Sequence, residues 1–106
     1  MDYRTFIRRA AQEGFCFTVR FDDGEWISPE DQTLDDPEEV IDHVKAVEMC
    51  VVRLMNDKGV GDGILSSAWV GTYLVTAWAD DPEESIIDYN SNSWWVDNNP
   101  LIAEFA

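Results

Sequence analysis

The chain has 106 residues, 45% of them hydrophobic, and a formal net charge of −15. That is the size of one compact domain, 1–106, and too apolar a chain for a disordered tail. The charge argues against direct binding to bare nucleic acid or to an anionic membrane, both of which need positive surface.

The acidity is unevenly placed. Residues 1–20 carry Arg4, Arg8, Arg9 and Arg20 against only Asp2 and Glu13. From Asp22 to Asp42 there are ten acids and no Lys or Arg. Such a density costs stability through self-repulsion, so it calls for an explanation outside the fold. No apolar run is long enough to span a bilayer, and the start lacks the basic-then-apolar pattern of a secretory leader. A cytoplasmic setting is expected, with Cys16 and Cys50 as reduced thiols, one in a strand and one in a helix.

Residues 2–13 read as a short amphipathic helix, with Tyr3, Phe6, Ile7, Ala10 and Ala11 on one face and Gly14 as the stop. Phe15–Phe21 alternates as a half-buried strand, with Phe15, Phe17, Val19 and Phe21 to one side. Asp22-Asp23-Gly24 supplies a tight turn, and Glu25–Ser28 returns as a short strand that Pro29 ends.

The stretch DDPEEVID, Asp35 to Asp42, reads as a helix start. Asp36 suits the cap, Pro37 the first position, and Glu38 and Glu39 the positive first turn. Val40, Ile41, Val44, Val47, Val51, Leu54 and Met55 continue with helical spacing to Gly59. The expectation is one long helix of about twenty residues.

GVGDG at 59–63 follows a helix and precedes a strand, the reverse of a dinucleotide loop, and is read as a connection. Ile64–Ala79 is strand-like, with a turn or bulge near Gly71. DDPEESIID, Asp80 to Asp88, resembles the first acidic box, but no helical period follows it. It reads as a corner at Asp81-Pro82, a short helix being the alternative. Ile86–Tyr89 and Trp94–Val96 then read as a hairpin across Asn90–Ser93, and Asn99-Pro100 opens a last helical turn or two. The sum is an α+β fold: a mainly antiparallel sheet of four to six strands, one long helix packed on a face, and a short N-terminal helix.

No chemistry stands out. His43 is the only histidine, and no nucleophile at a known spacing accompanies it. There is no CxxC, no HExxH and no calcium-loop pattern, so neither a metal nor a cofactor is expected. Paired carboxylates with tryptophans for sugar stacking make a glycosidase the best enzymatic reading, but acids are abundant everywhere and no pair is singled out.

Charge carries the functional expectation: a small non-enzymatic inhibitor that binds a basic partner, a nucleic-acid enzyme or complex. Glu38 and Asp42, one helical turn apart, are separated by about 6 Å along the axis, comparable with phosphates along a strand. The expected partner-binding residues are Asp22, Asp23 and Glu25 at the hairpin tip and Asp35, Asp36, Glu38, Glu39 and Asp42 at the helix start. Asp80, Asp81, Glu83 and Glu84 in the second box and Trp94 as an exposed aromatic complete the set. In size and charge the chain is similar to DNA-mimicking anti-CRISPR and anti-restriction proteins and to acidic nuclease-immunity proteins. No motif accompanies that resemblance. Two other readings stand beside it: an ordinary interaction or regulatory domain, and a salt-adapted domain whose acidity is environmental.

Overall fold

The computed structural model describes residues 1–56 and 69–104. Helix α1 (Tyr3–Gln12) leads into β1 (Phe15–Arg20), and helix α2 (Pro37–Lys45) follows after a long connection. Strands β2 (Cys50–Asn56), β3 (Trp69–Val75) and β4 (Ile86–Ser91) come next, with a 3₁₀ turn at Pro82–Glu84 before β4. Two short helices, α3 (Ser93–Asn98) and α4 (Pro100–Ala103), close the described chain. The four strands form one antiparallel sheet in the order β1-β2-β3-β4.

Local chemistry sets the helix starts. The Asp2 carboxylate accepts from Arg4 N–H, Asp36 from Glu38 N–H, and Asn99 from Leu101 N–H, each filling an orphan donor of a first turn. Gly14 follows α1 at φ +90°, a conformation that costs a side chain dearly. Tyr3, Phe6, Ile7 and Ala10 form the buried face of α1, as the periodicity predicts.

The long helix is not formed. α2 has nine residues and ends at Lys45, and Cys50–Asn56 is a strand in the middle of the sheet. The sequence Val51, Leu54, Met55 fits a helical stripe, but Cys50, Val52 and Leu54 also alternate, and those three are the ones fully buried. A central strand buries that set between two neighbours, and the β-branched Val51-Val52 pair suits the pleat. The helix layer is therefore made of α1, α2 and α4 on one face rather than a single long helix. Cys50 accordingly lies in a strand.

Three smaller expectations are also corrected. β1 is buried along both faces, Cys16 and Thr18 included, so it is not half-buried. The return stretch after the hairpin makes only one ladder contact, Arg20 with Trp26. The second hairpin is absent: Asn90 and Ser91 finish β4, and Asn92 caps α3, which carries Trp94 and Trp95. By contrast the corner before β4 is present, with Asp81 capping the 3₁₀ turn. The expected connection at 59–63 lies outside the described residues.

The core fills the space between sheet and helices. Tyr73 on β3 is completely buried, its ring 4.6 Å from that of Phe6 on α1 and its hydroxyl 3.1 Å from Ser91 Oγ. Gly71 makes room for it: a Cβ there would stand 3.0 Å from the Tyr73 hydroxyl. Beside Gly71 the ladder slips by one residue between Leu54 and Met55, the bulge expected near that glycine.

Cys50 and Cys16 are both buried. Burial pushes the Cys50 thiol from 9.0 up to about 12. A pKa raised in the folded chain favours the protonated thiol there. That stabilisation is complete below about pH 9 and is lost as pH rises toward 12. Burial also raises Tyr73 and Tyr3, which add losses of the same sign from a higher starting pH. Urea midpoints are expected to fall through this window, and Cys50→Val to flatten the early part of the fall. An identical slope in the variant would assign the loss to other groups.

Candidate functional site

The strand directions gather acids from separate parts of the chain. β1 ends, β2 begins, β3 ends and β4 begins at the same end of the sheet. The β1 hairpin tip brings Asp22, Asp23 and Glu25 to that end; the α2–β2 connection brings Glu48; the β3–β4 connection brings Asp80, Asp81, Glu83 and Glu84. All eight are exposed. The two edge strands that carry the outer groups are about 14 Å apart, three interstrand spacings.

Side-chain bonds tie these connections together. Thr76 Oγ1 donates to the Glu48 carbonyl at 3.0 Å, and Trp78 Nε1 to the Lys45 carbonyl at 3.1 Å. Gly24, at φ +98°, closes the hairpin tip, with its N–H 2.9 Å from the Phe21 carbonyl. Asp23 accepts from Glu25 N–H and Asp81 from Glu83 N–H, each at 3.0 Å, so these two carboxylates also shape their own turns.

Apolar side chains stand among the acids. Trp78 is 62% exposed although its indole N–H is held, and Phe21 and Met49 are also exposed. Sequence reading placed Trp78 in an alternating strand and Phe21 on its inward side. The signal that β3 stops at Val75 was weak, because Thr76, Ala77 and Trp78 continue the alternation without a break.

The first acidic box is elsewhere. Asp35 and Asp36 follow Leu34, which pairs with Phe17 halfway along β1, and α2 leads from there toward the acidic end. Its charges are partly neutralised. Arg8 grips Glu38 with two bonds of 3.0 and 2.9 Å, and Lys45 meets Asp42 at 2.9 Å. The Arg8 guanidinium holds the Glu38 carboxyl below its usual range. Glu39 and Asp35 form no ion pair among the described residues. The evenly spaced array expected along α2 is thus interrupted by cations at two of its members.

Trp94 is at the opposite end of the sheet. It is 58% exposed on α3 and packs edge-on against Trp95, whose ring meets Phe15 at the start of β1. A strand of six residues separates it from the acidic end, about 20 Å. His43 is half-buried on α2, beside the buried Val44. No cluster of three His, Cys, Asp or Glu suited to a metal occurs among the described residues. Nor is any helix among them long and apolar enough to cross a membrane.

The cations divide by face. Arg4, Arg8, Arg9 and Lys45 all pair with carboxylates on the helix side. Arg20 and Arg53 lie on the other face of the sheet, where the guanidinium of Arg20 covers the Trp26 ring at 3.7 Å. Among the described residues the cations near the acidic end are the terminal amine, 3.7 Å from Glu83, Lys45, whose carbonyl holds Trp78, and Arg20, the last residue of β1. Comparison with known family models, curated proteins and solved structures finds no match to this chain.

Proposed function

We propose that the protein is a small, acidic, non-enzymatic inhibitor. It binds a basic nucleic-acid-binding protein, in the manner of anti-CRISPR, anti-restriction or nuclease-immunity proteins, and does so through the acidic end of the sheet. The observation that carries this reading is the convergence there of eight exposed carboxylates around Trp78, Phe21 and Met49. A charged surround attracts a basic partner, speeds encounter and rejects wrong ones, and the exposed aromatic side chains add contact area within it. Carboxylates fixed by turns, as Asp23 and Asp81 are, need little reordering on binding.

The test is capture of a basic enzyme on the immobilised protein in dilute salt, elution by rising salt, and assay of the eluate. A nuclease, restriction or polymerase activity that appears in the eluate and falls when free protein is added back is the expected result. Capture that resists molar salt, or an eluted activity indifferent to excess protein, would overturn the proposal, because exposed charge pairs are screened within about 3 Å at that ionic strength.

A further inference from the structure

The face of the sheet away from the helices holds a cavity of about 420 Å³. Its floor is Thr18 and Arg20 of β1 with Arg53 and Met55 of β2, and Trp69 and Trp26 wall it. Asp31, Gln32 and Thr33, on the excursion between Pro29 and Leu34, form the rim. The volume falls within the range of sites that hold small organic ligands, about 300–1,000 Å³.

Two polar atoms in this floor are buried without a hydrogen-bond partner among the described residues, Thr18 Oγ1 and Arg20 Nε. Thr18 itself is only 6% exposed. A buried donor left unmade costs about 1–3 kcal/mol, so such atoms are uncommon in native cores unless something else completes them. Neither Arg20 nor Arg53 forms an ion pair among the described residues, although the chain is strongly acidic and Asp31 stands at the rim.

The polar and apolar parts of the floor are separated along the strands. Thr18 and Arg53 face each other on one rung, with Arg20 the next residue of that face toward the acidic end. In the other direction the next rung is Met55 opposite Trp69. Successive rungs of one face are two residues apart, about 7 Å. The donors therefore lie at one end of the cavity and a thioether with an indole at the other.

We propose that this cavity binds a small organic monoanion with a flat apolar body. Its carboxylate lies against Arg53, Arg20 Nε and the Thr18 hydroxyl, and its body lies on Met55 and Trp69. The three donors match the acceptor sites of a carboxylate, and a guanidinium binds that group with directed bonds. This site is independent of the acidic end and of any protein partner that end engages.

The probe is 2-naphthoate, with 2-naphthamide as a neutral body of the same shape and inorganic phosphate as an anion without a body. Calorimetry and tryptophan fluorescence on the full chain in dilute salt are expected to show naphthoate binding at least about tenfold tighter than either control, a difference of about 1.4 kcal/mol. Arg53→Gln, at an exposed position, is expected to lose about tenfold in naphthoate affinity while leaving naphthamide within twofold. Thr18→Val keeps the branched shape, removes the orphan hydroxyl, and is expected to weaken naphthoate about fivefold without lowering the melting temperature. Equal binding of acid and amide, phosphate binding as tight as naphthoate, an acid affinity unmoved by both variants, or no binding of any probe would each overturn the proposal.

Discussion

Truncating Tyr73 to alanine is expected to remove about 3–5 kcal/mol of unfolding free energy, the range for deleting a large buried ring. That is a large share of the total for a domain of this kind, about 5–15 kcal/mol. The size follows from position. Tyr73 is wholly buried on a central strand, packs at a tilt against Phe6 of α1, and reaches Ser91 of β4 with its hydroxyl. One side chain thus joins the helix layer to two strands, and Gly71 is shaped to admit it. Tyr73→Phe keeps the ring and forfeits the Ser91 bond, for which about 1 kcal/mol is expected. Urea unfolding of the two variants measures both. A loss below 1 kcal/mol for the alanine variant would remove Tyr73 from the centre of the core.

Reversing Asp22, Asp80 and Glu84 to lysine is expected to weaken a basic partner on the order of 100-fold, about 1 kcal/mol for each exposed charge in a complementary field. Folding should be unharmed, since these carboxylates form no hydrogen bond or ion pair among the described residues. The comparison is the same reversal at Glu38, Glu39 and Asp42. There Glu38 and Asp42 already bind Arg8 and Lys45, so lysines would face cations. Losing two solvent-exposed pairs costs little stability. If the acidic end is the contact surface, this second triple variant should keep most of the affinity. Affinities from surface plasmon resonance, read beside melting temperatures, separate the two. Equal affinity of the first variant and the wild type would exclude the acidic end.

Much of the chain was legible in sequence because local signals agreed. The 3, 6, 7, 10 pattern with its Gly14 stop gives α1, Asp36-Pro37 gives the start of α2, and Asn99-Pro100 gives α4. The end of α2 was not legible. Between Lys45 and Cys50 no glycine or proline marks a stop, and residues 51, 54 and 55 satisfy a helical stripe by coincidence. Only the neighbouring strands decide that Cys50, Val52 and Leu54 are the buried set, and pairing at that separation leaves no local trace. The same limit applies to the acidic end. Its members come from residues 22–25, 48 and 80–84, and they meet only because successive strands reverse direction. Trp94 looked exposed in sequence and is, yet it is at the wrong end of the sheet to join them. The two acidic boxes, so alike as text, end as different objects: one caps a nine-residue helix, the other turns a corner into an edge strand.

The segment from Trp26 to Leu34 borders β1 and also carries the rim of the cavity. Its outer part is held to β1 at both ends: Ser28 bonds Val19, and Leu34 exchanges two backbone bonds with Phe17. Those anchor points on β1 are two residues apart, about 7 Å, whereas the segment between them has six steps of chain to accommodate. The surplus has nowhere to go but outward, with Asp31 at φ +58° helping to turn it. The depth of the cavity is therefore fixed by a residue count rather than by any one side chain. A chain shortened by four residues between Ser28 and Leu34 would still seal the edge of β1, but as a flat strand with no hollow beneath it.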